Sequence, residues 1–396
     1  MKVTHLSTGS IGGAGLAASR ASDSLVSIGI DSTFYSPVRD ITFPRADGIS
    51  NIHLIKSKFV TFAQRKLVQK TTNFVSPLSV GILPIDFSRD EVLHIHAFYN
   101  LFSTENLLAL AAERPLYFTL HDERLLTGGC HYTNECLGYM SNCSNCPQVS
   151  WLAKEIVRRE KERINELLLH PQVHLIFPSK WLLSRAQEIL SDSKNRMSVV
   201  HNPIPRTSLV ADRKKLREDL GVLPTTELVG FVSKDLFNPL KGLNDLVSAL
   251  NTLPVRRKIN LKLLLVGQGT VPASIADVDV IHIVPKTSLE ISNLMRSMDV
   301  LVVPSHQDNS PNVVGESLMA GTPVIGSRIG GIPEIIEKLG LPTFEVGNLK
   351  GIASILNGKD FTISRTDLVS KSEEIFGYSV VASKLKEIYC HQPPKL

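Results

Sequence analysis

At 396 residues the chain is too long for one compact core, and two α/β domains are expected. Hydrophobic content of 43% and charged content of 20% are ordinary for a soluble globular protein, and no apolar run approaches the ~20 residues of a membrane span. A net charge of +5 is too mild for a nucleic-acid binder, so no nucleic-acid partner is expected.

The opening residues Met1-Lys2-Val3-Thr4-His5-Leu6 read as a first strand. No apolar core or small-residue cleavage site follows, so a cytoplasmic protein is expected. In the first half, strands are expected at Val3–Ser7, Ser32–Tyr35, Val92–His96, Leu116–Leu120, His174–Phe177 and Met197–Val200. Helices are expected at Gly13–Ile28, Ser103–Ala112, Trp151–Leu169 and Lys180–Leu190. This alternation is the pattern of a parallel sheet wrapped by helices.

Ligands of open α/β sheets bind beyond the carboxyl ends of the strands, so the loops there matter most. The first is Thr8-Gly9-Ser10-Ile11-Gly12-Gly13-Ala14-Gly15, whose glycines let backbone approach a phosphate at a helix start. Gly13, Gly15 and Ala18 fit the dinucleotide spacing, but that signal alone is weak. An NAD site also needs an acid at the end of the second strand, where Phe34-Tyr35-Ser36-Pro37 stands instead. A basic segment follows, with Lys56, Lys58, Arg65, Lys66 and Lys70 interleaved with Phe59, Val60, Phe62, Leu67 and Val68. It reads equally as a contact for anionic lipid or as a solvated helix with one apolar face.

His94 and His96 share one strand face, and His94 reads as a satisfied core histidine. Thr119-Leu120-His121-Asp122 ends a strand, which places His121 where substrates bind. Four of the five cysteines, Cys130, Cys136, Cys143 and Cys146, then crowd into one loop. Cytosolic thiols are normally reduced, and four this close can surround one tetrahedral structural zinc. Reduced thiols or a pair of disulfides are the competing readings.

Val200-His201-Asn202-Pro203-Ile204-Pro205 breaks the pattern and divides the chain into domains of residues 1–201, with a Cys-rich loop at 121–150, and 202–375. In the second half, strands are expected at Leu228–Val232, Leu261–Val266, Val280–Ile283, Val300–Val303 and Pro323–Ile325. Helices are expected at Gly242–Leu253, Leu289–Ser297, Asn312–Ala320 and Ile332–Leu339. Glu373 to Cys390 reads as one amphipathic helical stretch, and residues 376–396 are expected to cross back to the first domain.

Lys241 stands where a helix begins, so its ammonium and the helix dipole can act on one anion; an ordinary surface lysine is the competing reading. Asp308 falls in the loop after a strand, and Glu316 falls inside the following helix. Two such acids can hold different hydroxyls of one elongated ligand. The backbone amides of Asn309, Ser310, Asn312 and Val313, around Pro311, can meet its phosphates, although Ser-Pro-Asn is also a well-capped helix start. Ile329-Gly330-Gly331-Ile332-Pro333-Glu334 adds a further Gly-rich turn, and Asp277-Val278-Asp279 reads as a solvated turn.

The stretch from Pro304 to Glu334 resembles the donor-binding signature of family 4 glycosyltransferases, retaining enzymes of the GT-B fold. The N-terminal glycine loop, His94 and His96, Thr119 to Asp122, Asn202-Pro203, Lys241-Gly242 and Gly267-Gln268-Gly269 extend the resemblance over the chain. It implies two facing Rossmann-like domains with a UDP- or GDP-sugar in the cleft between them. Glu316 would bind the ribose hydroxyls, Asp308 the donor sugar, and Lys241 the diphosphate. Gly12 or Gly13 would back the phosphates, and His121 would face the transferred sugar. Asp308 is one methylene shorter than the usual glutamate. An arginine usual before the lysine is missing, and Lys234 is expected to substitute.

The run from His121 to Cys146-Pro147 resembles a subgroup acting in bacterial exopolysaccharide and O-antigen assembly. That implies a saccharide acceptor, in particular a lipid-linked one, reached by peripheral contact at the inner face of the cell membrane. No cofactor is expected for catalysis. A sugar-nucleotide epimerase of similar fold and a non-catalytic nucleotide-sugar binder are the alternatives.

Overall fold

The computed structural model describes residues 1–10, 12–36, 62, 87–99, 101–190, 196–206, 212–270, 278–358 and 363–391. Apart from Phe62, the basic segment from Lys56 to Lys70 lies outside the described residues, as does Asp277. The chain divides into two compact units, Met1–Pro203 with Val381–Leu396, and Ile204–Val380.

The first unit is built on strands β1 (Lys2–Ser7), β2 (Asp31–Tyr35), β3 (Glu91–Ala97), β4 (Leu116–Thr119), β5 (Val173–Phe177) and β6 (Met197–Val199). They form one parallel sheet in the order β2-β1-β3-β4-β5-β6. Parallel neighbours need crossover connections, and the helices in those crossovers cover both faces. One face is apolar: Leu6, Leu93, Ile95, Phe118 and Leu175 meet Leu107 and Ile164 of the helices Thr104–Glu113 and Lys154–Leu169. Side-chain alternation puts His5, His94, His96, Tyr117 and Thr119 on the other face. There Ala21 and Leu25 of the helix Gly13–Ser27, and Val381, Ala382, Leu385 and Tyr389 of the helix Tyr378–Cys390, complete a second core cluster.

The second unit repeats the plan with β7 (Glu227–Asp235), β8 (Leu261–Gln268), β9 (Asp279–Ile283), β10 (Val300–Val303), β11 (Val324–Ser327) and β12 (Thr343–Phe344). Their order is β12-β11-β10-β7-β8-β9, again parallel. At Gly230 on β7 a Cβ would lie 2.0 Å from the sulfur of Met298, so any larger residue there would force that side chain to move off the strand. The foot of the sheet is tied by Asp299, which pairs with Arg213 at 2.6 Å and Arg217 at 2.9 Å and accepts from the Leu228 amide.

Two expected helices differ. The stretch Glu373–Cys390 breaks into Arg365–Phe376 and Tyr378–Cys390, because Gly377 is extended (φ −56°, ψ 143°). A Cβ there would lie 2.5 Å from the Glu373 carbonyl oxygen. Residues Trp151–Ala153 form a 3₁₀ turn ahead of the helix Lys154–Leu169.

That helix also carries a buried ion pair. Arg124, after β4, meets Glu160 at 3.4 Å, stacks on Phe98, and shares Glu160 with the Thr104 hydroxyl at 2.9 Å. Removing one partner would leave a buried charge uncompensated. Glu160→Ala is expected to destabilise the protein by about 3–5 kcal/mol, measured by urea unfolding. A change within about 0.5 kcal/mol, the range of ordinary surface substitutions, would contradict that role.

Candidate active site

A crevice opens at the carboxyl edge of an open α/β sheet where the strand order reverses. In the second sheet the reversal lies between β7 and β10. Beyond β7 the chain makes a 3₁₀ turn, Pro239–Lys241, started by the Asn238 side chain accepting from the Leu240 amide at 3.0 Å. Gly242 then takes φ 73°, and a Cβ there would lie 1.9 Å from the Pro304 carbonyl oxygen. The loops after β7 and β10 are therefore pressed together, and the His306 amide donates to the Leu240 carbonyl at 2.8 Å.

This contact brings Lys241 Nζ to 2.5 Å from Asp308 Oδ2. Asp308 is buried and Lys241 partly exposed. The acid's loop is backed by the Gly330-Gly331 turn. Gly330 has φ 57°, and a Cβ there would lie 1.6 Å from the Asp308 carbonyl oxygen, while the Gly331 amide donates to Asn309 at 2.6 Å. The helix Asn312–Met319 follows, with Glu316 partly buried on it. Its expected capping differs from the structure. Pro311 stands at the cap and makes no side-chain cap hydrogen bond to the helix start, around which Asn309, Ser310, Asn312 and Val313 stand. Lys234 lies exposed near the end of β7. His306, which the sequence reading did not single out, pairs with Asp245 at 2.7 Å; its position after a strand is its only sequence signal.

In the first unit the reversal lies between β1 and β3. The Thr8 amide donates to the Ala97 carbonyl at 2.8 Å and its hydroxyl to Tyr99 at 2.6 Å, closing the glycine loop onto β3. Gly12, at φ 107°, and Gly13 open the helix Gly13–Ser27, and nothing lies within 4 Å of a Cβ built on either. By contrast, a Cβ on Gly15 would lie 2.0 Å from the Gly9 carbonyl oxygen, so the loop requires glycine there.

His121 lies just beyond β4 and lines a cavity of about 30 Å³ with Ala14, His96, Tyr99, Asp122 and Arg124. Its Nε2 bonds His96 Nδ1 at 2.9 Å. Burial pulls the His121 pKa down to about 4, against the opposing charge of Asp122. Burial raises Asp122, but His131, 2.5 Å away, and the Arg124 amide outweigh it and hold the carboxyl below its ordinary value. A larger cavity of about 410 Å³, lined by His174, Arg196, Lys384 and Glu387, lies beside edge strand β6 and holds no sequence-predicted site residue.

Cys130, Cys136, Cys143 and Cys146 are all free thiols. Among the described residues, the ligand-type atoms gathered within 4.8 Å of one another belong to His5, His94 and His96, and the cysteines form no such set. Cys130 Sγ instead donates to the Tyr132 carbonyl at 2.9 Å and accepts from Gln148 at 3.2 Å. Burial raises the thiol pKa of Cys130, Cys143 and Cys146, as expected of thiols packed as small apolar groups.

Residues 226–356 match the family model described as Glycosyl transferases group 1. That stretch contains Lys234, Lys241, Asp308 and Glu316. The putative colanic acid biosynthesis glycosyl transferase WcaC of Escherichia coli K12 is 24% identical over 266 residues, 63% of this chain and 62% of that protein. N-acetyl-alpha-D-glucosaminyl L-malate synthase of Bacillus anthracis is 26% identical over 179 residues, 43% of this chain and 46% of that one. The chain thus spans less than two thirds of the length of these relatives. Anabaena HepE, solved in complex with UDP-glucose, superposes with a TM-score of 0.62 at 16% identity, over 98% of this chain and 99% of HepE. The fold is the GT-B type, two Rossmann-like units, and residues 226–356 are a group 1 glycosyltransferase domain.

The histidine face of the first unit makes stability depend on pH. Burial drives His5 down to about 3, and His94 and His96 well below the ordinary histidine value. In the unfolded chain these groups titrate near 6.5, so below that pH the unfolded state binds protons that the folded state refuses. Stability is therefore present above about pH 6.5 and falls as the pH drops toward the folded values. The urea midpoint is expected to be lower at pH 5 than at pH 7, and more nearly level after His5→Phe. An equal midpoint at both pH values would show that these rings are not held neutral.

Proposed function

We propose that this chain is a retaining glycosyltransferase. It moves a sugar from a UDP- or GDP-sugar to a saccharide acceptor, lipid-linked and met at the inner face of the cell membrane, in surface-polysaccharide assembly. The observation that carries the reading is the Lys241–Asp308 contact at the reversal of the second sheet, inside the group 1 domain. UDP is the first base to test, because the similar fold of HepE was solved with UDP-glucose.

When the glycosyl bond breaks, negative charge collects on the β-phosphate. Lys241, drawn from Asp308 to the diphosphate, neutralises it, aided by Lys234 and the amides that open the helix Asn312–Met319. Asp308 then holds a hydroxyl of the donor sugar, and Glu316 accepts from the ribose hydroxyls. On the same reading Gly12 or Gly13 backs the phosphates, and His121 faces the transferred sugar. The acceptor attacks the face the diphosphate leaves, and a phosphate oxygen takes its proton, so no second carboxylate is needed as nucleophile. Chemistry by these residues needs no catalytic metal.

The test is a thermal-shift panel with UDP, GDP, CMP, NAD and the matching nucleotide sugars, each with and without EDTA. A ligand at 100 times its Kd adds about 2.7 kcal/mol. A shift with UDP or GDP that survives EDTA supports the reading, and a shift with NAD alone, or with nothing, overturns it. With the donor known, Lys241→Ala is expected to lower kcat about 100-fold or more. Glu316→Ala is expected to weaken nucleotide binding about 10- to 100-fold, the size of a lost charged hydrogen bond. Glycosyl transfer at the wild-type rate in Lys241→Ala would remove the lysine from the mechanism.

A further inference from the structure

The rings of His5, His94 and His96 pack together with centroids 4.3–5.2 Å apart, His94 stacked on His96 and His5 tilted against both. Their nitrogens are close enough to suggest a metal set. Hydrogen bonding already occupies both nitrogens of His94 and His96, and Nδ1 of His5. His94 uses Nδ1 with the Tyr389 hydroxyl at 2.6 Å and Nε2 with Thr119 at 2.7 Å. His96 uses Nε2 with His5 Nδ1 and Nδ1 with His121 Nε2, both at 2.9 Å. A metal would have to break several of these bonds.

What remains is a line of three rings, His5–His96–His121, ending at the small cavity beside Ala14 and Tyr99. A neutral imidazole carries one proton, so each ring in the line donates at one nitrogen and accepts at the other. Only two directions are therefore open. If His121 donates inward, His96 donates to His5, and the His5 proton must sit on Nε2. That atom is buried and has no partner. If His5 donates outward instead, the atom left without a partner is a lone pair. An orphaned buried N–H is the rarer and costlier defect, so the outward direction wins.

We propose that His5 and His96 are positioning residues that fix His121 as its Nδ1–H tautomer, so that it offers a hydrogen-bond donor to an oxygen of the bound substrate. Among the described residues, His121 Nδ1 makes no hydrogen bond and is left for that oxygen. A ring in this state cannot serve as a base through Nδ1, which suits a reaction whose leaving phosphate takes the proton. The use made of the donor rests on the glycosyl-transfer reading; the tautomer does not.

The test is a long-range proton–nitrogen correlation spectrum of the full chain labelled with ¹⁵N-histidine at pH 7, with His121 assigned through His121→Gln. Wild type is expected to show His121 Nδ1 in the protonated range and Nε2 in the unprotonated range. His96→Phe and His5→Phe, checked for folding by near-ultraviolet circular dichroism, are expected to shift His121 toward the opposite tautomer. A wild-type His121 protonated on Nε2 overturns the proposal even if neither variant folds. An unchanged tautomer in a folded His96→Phe overturns it as well. Because no turnover is read, failure of the glycosyl-transfer reading leaves this result standing.

Discussion

Lys241 and Asp308 meet because the second sheet adds strands on both sides of its first one. β8 and β9 extend from one edge of β7, and β10, β11 and β12 from the other. The connections leaving β7 and β10 therefore diverge, and their first residues line a shared crevice at the carboxyl edge. Much of the surrounding detail serves that approach. Gly242 admits the Pro304 carbonyl, Gly330 admits that of Asp308, and the His306 amide locks one loop to the other. At each glycine a side chain would meet backbone, which cannot swing away as a side chain could.

The first sheet is constrained differently. Its apolar face is closed by leucine, isoleucine and phenylalanine, whereas the opposite face buries imidazoles and hydroxyls that must find one another. Most do so in two sets, one joining Tyr389 and Thr119 through His94 and the other running from His5 through His96 to His121. Half-satisfied networks are costly, so such a face tolerates few arrangements. That rigidity reaches the rim of the sheet, where His121 stands.

The strand–helix alternation was legible because buried parallel strands are short apolar runs between glycine- and proline-marked loops. The loops with chemistry were legible for the same reason, as each follows a strand. Pairings across the sheet were not. His5 and His94 sit side by side only through the register of β1 on β3, and nothing near residue 5 announces residue 94. Tyr389 is further still from His94, in a helix whose separation from its predecessor depends on the extended backbone of Gly377. Nor did the cysteine spacing announce that Cys130 donates to the Tyr132 carbonyl and accepts from Gln148, since neither partner is marked by the Cys pattern.

The helix Tyr378–Cys390 supplies Val381, Ala382, Leu385 and Tyr389 to a core otherwise made from residues 3 to 200. On the ribosome that core must wait. By the time residues 1–203 have emerged, β1, β3, β4 and β5 can pair, but Tyr117 and His94 still lack their cover. The unit from Ile204 to Val380 is continuous and needs nothing made later. The half synthesised second can thus be the half completed first, and the nascent chain carries an uncovered face for the time taken to make some 180 residues, at the ~5–20 residues per second of synthesis.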